Sequence, residues 1–417
     1  MKAHARKIAL LIAVLFHVQH YGQEAMTSLD EYLQIAAENN PGLKSRFNEY
    51  MAALEKVPQV GALPDPKFAF GYFINPVETR IGPQRATLGL SQAFPWFGTL
   101  EAKRDAMSQM AQSRYELFEN ARSDLFFDVK TAYYNYYFIE KAIEITRENI
   151  EILRIFRNLS LVKIEAGTAS LADELRVELE LNDLENQLAL FRDSRDVFRT
   201  RFNNLLNRDN TVRIEVPGEL MEEELPFDSL LLLDSVLTSN REIRSLEHKL
   251  EAFREQEEVA QKSGLPEFNV GMNYIVIGEN PESANPDNGK DAFLFPTVGV
   301  SIPIYRKKYK AMIREAEYMK EAVVSEKEDK RNSLSTLLQE NMKDFRDSDR
   351  RLMLNQQQSE IANKVLDILI TSYSTNSKDF EEVLRIERQL LGYKLARERA
   401  LIDKNASVAF LNYLLGN

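Results

Sequence analysis

Residues 67–74 read KFAFGYFI, so Phe68, Phe70, Tyr72 and Ile74 share one side of an extended chain, opposite Ala69, Gly71 and Phe73. Period-two alternation is the strand signature, because successive side chains of a strand point to opposite faces. Three more stretches repeat it. In RATLGLSQAF (85–94), Ala86, Leu88, Leu90 and Phe94 oppose Arg85, Thr87, Gly89, Ser91 and Ala93. In FNVGMNYIVI (268–277), Phe268, Val270, Met272, Tyr274 and Val276 oppose Asn269, Gly271 and Asn273. In LFPTVGVSI (294–302), Leu294, Val298, Val300 and Ile302 oppose Thr297, Gly299 and Ser301. The pattern places strands at about 67–75, 85–94, 267–277 and 293–303.

One face is greasy and the other small or polar, which suits either a soluble antiparallel sheet packed on a helix or a strand of a membrane barrel. Lengths near the ~9–11 residues of a tilted membrane strand, and arrangement as two hairpins, favour the barrel. Four strands cannot enclose a lumen, since the smallest membrane barrels have about eight, and an open edge in lipid leaves backbone groups unpaired. Several chains must therefore contribute.

Outside these strands the chain reads as helix. The 417 residues contain only 16 glycines and 14 prolines, and 28% are charged. Residues 99–166 and 306–375 carry apolar groups at helical spacing with no proline, and at ~1.5 Å per residue each extends roughly 100 Å. Helices of that length without one compact core imply coiled-coil packing. The return helices, 169–207 and 378–415, are a little over half as long. Leading helices near 28–58 and 229–263 supply the missing length, which predicts two helices stacked end to end beside each long one.

This order occurs twice. AGTASLADELRVELEL (166–181) aligns without gaps on TNSKDFEEVLRIERQL (375–390), and FNNLL (202–206) falls on LNYLL (411–415) at the same offset. One duplication of a long unit fits better than an array of short repeats. The expected division is residues 23–210 as a first repeat, 211–228 as a connector at mid-height, and 229–417 as a second repeat.

The N-terminus places Lys2, Arg6 and Lys7 before an apolar run from Ile8 to Phe16, the pattern of an export signal over about residues 1–22. Removing it turns the net charge of −11 into −14, which argues against a nucleic-acid partner. The chain has no cysteine, and His248 is the only histidine beyond the signal, so neither a metal centre nor any other cofactor is expected. Acidic neighbours such as Asp173 and Glu174 suit a solvated helix, and no phosphate loop or nucleophile elbow accompanies them, so no enzyme is read here. The competing non-enzymatic reading is a soluble or periplasmic coiled-coil scaffold without channel activity.

Four stretches, SLDEYLQIAAENNPGLKS near the start, GLSQAFPWFG after the second strand, EAGTASLADEL at the first helix break and NYLLGN at the end, together resemble the TolC-like family of outer-membrane efflux proteins. The resemblance implies a mainly α fold with a small β part: four strands per chain in a homotrimeric twelve-stranded transmembrane barrel, continued by a periplasmic barrel of helical hairpins. It implies an outer-membrane exit duct with a periplasmic extension, bathed in outer-membrane lipid, working with a periplasmic adaptor and an inner-membrane pump. Many members carry a cysteine for lipid attachment. Its absence here implies no such anchor.

Candidate functional residues follow. At the first break Gly167 relieves the turn and Thr168 or Ser170 caps the next helix. The resemblance adds that Gly167, Thr168, Ala169, Ser170 and Leu171 form one adaptor-docking tip, and Asn376, Ser377, Lys378, Asp379 and Phe380 the other. It also places Glu382 where the family has a gate aspartate, with Arg385 at the next such position. A ring of Glu382 carboxylates would favour cations, and Arg385 would oppose that or pair with it. The same two residues also read as an ordinary surface i, i+3 pair. Trp96 and Phe97 follow the second strand, where an indole can anchor at a lipid interface or pack in a strand–helix corner. The run Tyr133, Tyr134, Tyr136, Tyr137 and Phe138 reads as interhelical packing.

Overall fold

A computed structural model describes residues 28–225, 232–282, 284–374 and 380–417; the expected export signal lies outside them. Elements run α1 (Leu29–Asn39), α2 (Pro41–Gly61), β1 (Lys67–Thr79), β2 (Gly82–Phe94), α3 (Thr99–Glu165), α4 (Leu171–Leu205), α5 (Leu232–Ser239), α6 (Arg241–Ser263), β3 (Glu267–Ile277), β4 (Ala292–Ser301), α7 (Arg306–Ser374) and α8 (Phe380–Leu414). The 67 residues of α3 equal the 35 of α4 together with the 11 and 21 of α1 and α2. At equal rise per residue, the paired short helices match the long one.

The leading helices are broken where the sequence reading has them continuous. Each break is an asparagine in extended conformation, Asn40 (ψ 123°) and Asn240 (ψ 127°). Asn40 precedes Pro41, whose ring disfavours helical geometry in the residue before it. The Oδ1 of Asn40 accepts from the Leu43 amide at 3.1 Å, and its Nδ2 donates to the Leu205 carbonyl at 2.9 Å. Asn240 does the same, accepting from Glu242 and Ile243 and donating to the Leu414 carbonyl at 3.0 Å. One side chain thus starts a leading helix and satisfies an orphan carbonyl at the end of the return helix stacked on it.

Across the molecule, α2 and α4 pack on one side of α3; α6 and α8 pack between α3 and α7. The apolar core runs along these seams. Near the helix tips Leu153 and Phe156 of α3 meet Val177 and Leu181 of α4 and Val383 and Leu384 of α8. At mid-length Tyr32, Tyr133 and Phe202 form a second cluster. No helix among the described residues is long and apolar enough to cross a membrane.

The strands form one antiparallel sheet in the order β1-β2-β3-β4. Both strands of the first hairpin run further than the alternation at 67–75 and 85–94 predicts: past a bulge, Val77, Glu78 and Thr79 pair with Gln84, Pro83 and Gly82. Gly82 sits at φ +123°, and a Cβ there would lie 2.0 Å from the Gly278 carbonyl oxygen, so only glycine fits.

Candidate functional site

Register decides what each face of the sheet offers. Phe70 pairs with Leu88, Leu88 with Tyr274, Phe68 with Leu90, Leu90 with Met272, and Val270 with Val298, so these side chains share one face. That face is uncovered: Phe70 is 64% and Ile74 89% exposed. The opposite face carries Thr87, Asn269, Asn273, Thr297 and Ser301, with Asn273 donating to Thr297 at 3.2 Å. Gly71 and Gly89 make room on it, because a Cβ at either would fall within 3 Å of the Thr87 hydroxyl or the Asn273 amide oxygen.

The alternation read in 294–302 holds for Val298 and Val300 but not for Leu294. A register shift around Pro296 puts Leu294 opposite Asn273 and Phe293 opposite Tyr274. Phe293 and Phe295, stacked at 6.3 Å, therefore join the greasy face. One inserted residue inverts the parity of everything beyond it, and proline, lacking an N–H, is tolerated at such a bulge.

At the end of the sheet next to the helices, Trp96 is half-buried and stacked on Phe268 at 5.9 Å, while Phe97 beside it is 79% exposed. Trp96 thus packs in the strand–helix corner, and Phe97 lies on its outside, 6.0 Å from the Trp96 ring and 6.3 Å from that of Phe268.

At the opposite end the α3–α4 tip follows local rules. Gly167 adopts φ +73°, with its amide on the Ile164 carbonyl and the Thr168 amide on that of Lys163. Ser170 caps α4 in a capping box with Asp173. Gly167, Thr168, Ser170 and Leu171 are exposed and Ala169 half-exposed. On the second hairpin, Asn376, Ser377, Lys378 and Asp379 lie outside the described residues. Phe380 is described, and it is turned inward: 1% exposed, 4.8 Å from the Tyr373 ring and 6.1 Å from that of Phe156. Its side chain offers nothing to a docking partner. Glu382 is half-buried and Arg385 exposed on the first turns of α8.

The two hairpins are tied together by charged residues that the sequence did not single out. Arg388 of α8 holds Glu180 of α4 through two of its guanidinium nitrogens, Nε and one Nη, the Nε contact at 2.9 Å, and Arg176 of α4 reaches Glu381 at 3.3 Å. Lys163 of α3 donates to the Tyr373 carbonyl of α7 and lies over its ring. Deeper in, Asn149 donates to the buried Glu387 carboxylate at 2.6 Å.

Residues 211–225 of the connector are strapped to the helices at mid-height. The Glu215 amide donates to the Tyr32 hydroxyl, the Leu220 amide to that of Tyr137, and Asn405 both accepts from the Glu223 amide and donates to the Met221 carbonyl. Burial pushes the Tyr137 pKa up to about 12, helped by nearby Glu398, so its hydroxyl keeps its proton. The tyrosine run is therefore packing and strap together.

Comparison with known proteins agrees with this architecture. Residues 32–208 match the outer membrane efflux protein family. The solved structure of CusC, described in terms of transmembrane channel formation, superposes with TM-score 0.76 at 15% identity, covering 96% of each chain. The fold is that of the outer membrane efflux proteins. The open-state MtrE outer membrane channel of Neisseria gonorrhoeae superposes with TM-score 0.75 at 18% identity, over 93% of this chain and 89% of that one. A curated relative, the toxin and drug export protein A of Aggregatibacter actinomycetemcomitans, is 24% identical over 229 residues, 54% of this chain and 49% of that protein. The chain spans about half the length of the curated relatives it matches.

Within this fold Glu387 is a buried acid with a pH effect. Burial raises its pKa above the ordinary carboxylate value, against the opposing pull of Lys394 and the Asn149 hydrogen bond. A raised carboxyl means the folded state prefers the protonated form, so the group's penalty is absent at acidic pH and grows as pH rises through the folded pKa. Glu387→Gln keeps an acceptor for Asn149 and removes the charge. Denaturant midpoints at about pH 5 and about pH 7.5 should then fall less with rising pH than in the wild type. Equal falls in both would contradict this account of Glu387.

Proposed function

We propose that three copies of this chain close a twelve-stranded barrel in the outer membrane and a helical barrel beneath it, forming the exit duct of a tripartite efflux system. The observation that carries this reading is that sheet and helical wall both end in open edges. Strands β1 and β4 each pair on one side only, and the greasy face between them is bare. In water such an edge invites aggregation and in lipid it leaves backbone groups unsatisfied, whereas closure with further copies removes it. The outermost helix repeats the theme: Leu354, Ile361 and Ile368 of α7, spaced by heptads, are all exposed, as a seam for a neighbouring helix requires. A soluble scaffold gives no reason for a bare apolar sheet.

In this assembly the two halves of each chain are the duplicated units, divided near residues 210 and 228. The face carrying Thr87, Asn273 and Thr297 lines the lumen. The helix tips, with Gly167 to Leu171 at one and Asn376 to Asp379 at the other, meet the adaptor, through which the inner-membrane pump delivers cargo. Glu382 and Arg385 line the constriction at those tips, and the Arg388–Glu180 and Arg176–Glu381 pairs hold the hairpins side by side.

The gate is tested by single-channel recording in planar bilayers. Glu382→Gln should reduce cation preference, because a ring of carboxylates concentrates cations at a constriction. Unchanged selectivity would remove Glu382 from the lumen.

A further inference from the structure

Outside the duct, the stretch where β4 becomes α7 is strongly basic. Residues 303–314, PIYRKKYKAMIR, contain five basic residues and no acidic one, within a chain of net charge −11. They follow the greasy face directly: Ile302 and Ile304 are exposed, as is Tyr305, and α7 begins at Arg306. Arg306 is engaged, donating to the Gly264 carbonyl at 3.0 Å. Lys307, Lys308 and Lys310 are exposed and form no ion pair among the described residues. Elsewhere the helices pair their charges freely, as in Lys249–Glu326 and Lys327–Glu247 across α6 and α7. Three exposed lysines without an ion pair among the described residues leave a local positive charge at the rim of the apolar band.

We propose that Lys307, Lys308 and Lys310 form a cationic collar that binds anionic phospholipid headgroups of the periplasm-facing leaflet. This rests on the membrane reading above and adds a lipid specificity to it. Charge complementarity selects the occupant: a basic cluster immediately beside a membrane-embedded segment gains from an anionic surface only within about one Debye length, ~10 Å at 0.1 M salt. The turn from Ile304 into α7 puts the lysines within three to six residues of the last greasy side chain. Exposed Tyr305, next to the lysines in sequence, and exposed Phe97, whose ring lies 6.3 Å from that of Phe268 opposite Val300 of β4, supply amphipathic and apolar contact.

Trp96, the only tryptophan, provides a built-in reporter, since it stacks on Phe268, whose partner across the ladder is Val300 of β4. The full-length protein is reconstituted in phosphatidylcholine vesicles containing a minor fraction of either brominated phosphatidylglycerol or brominated phosphatidylcholine, and quenching of Trp96 fluorescence is read. The anionic lipid should quench as though enriched at least about threefold over the zwitterionic one, and the excess should vanish near 1 M salt, where the Debye length is ~3 Å. Lys307→Gln, Lys308→Gln and Lys310→Gln combined should abolish the excess while quenching by brominated phosphatidylcholine persists; replacement by arginine should retain it. Lys343→Gln, far along α7, should change nothing. Equal quenching by both lipids in the wild type, or an excess that survives the glutamine variant, overturns the collar and leaves the barrel standing. Absence of quenching by either lipid overturns the membrane reading and the collar with it.

Discussion

Phe70→Arg is expected to abolish stable assembly in the membrane, whereas Ser91→Arg is expected to be tolerated. Phe70 lies near the middle of the greasy face, paired with Leu88, and Ser91 lies on the opposite face across from Gly271. An arginine on the lipid side of a barrel strand costs ~2–4 kcal/mol near the bilayer midplane, and a trimer carries three, for roughly 6–12 kcal/mol per assembly. A charge on the lumen side meets water and alters ion selectivity instead. Heat-resistant oligomers in extracted membranes report the first effect and bilayer conductance the second. Equal tolerance of both substitutions would mean that the face bearing Phe70 does not meet lipid.

The second large effect is expected at Phe380. Its ring fills the space between Phe156 of α3 and Tyr373 of α7, so Phe380→Ala removes a fully buried aromatic shared by three helices. Truncation of such a side chain costs ~3–5 kcal/mol when the cavity cannot collapse. Long helices with few cross-links along their length distribute that loss locally, so hydrogen exchange should accelerate around Phe156 and Val383 while the mid-length cluster around Phe202 keeps its protection. If the tips form the gate, the same variant should raise the open fraction of the channel. Unchanged exchange at the tips would show that Phe380 does not hold the hairpins together.

What the sequence made legible was local and periodic. Strand alternation, helix length, the Gly167 turn and the Ser170 cap each follow from chemistry within a few residues, and each is readable in the sequence. The bulge at Pro296 was not, because an inserted residue changes parity without changing composition; Leu294 was placed on the wrong face for that reason. Asn40 carries a local sign of its break in the Pro41 that follows it, whereas Asn240 reads as a plain polar residue inside a helix until the Leu414 carbonyl is seen beside it. Charged residues were the least legible. Arg388 and Glu180 are 208 positions apart and look like dozens of other helix-surface charges. Glu116, buried under Arg241 and Arg244 at 3.3 and 2.9 Å, carries no local sign that it is not solvated.

The central claim, closure of the open sheet by identical copies, is tested most directly by cross-linking between its two edges. The chain has no cysteine, so Phe70→Cys on β1 and Val298→Cys on β4, combined in one chain, give an unambiguous pair. In detergent-extracted protein a short bismaleimide should convert the population to covalent dimers and trimers, ending at three subunits. A population that stays monomeric in detergent, with no cross-linked species, would contradict the account.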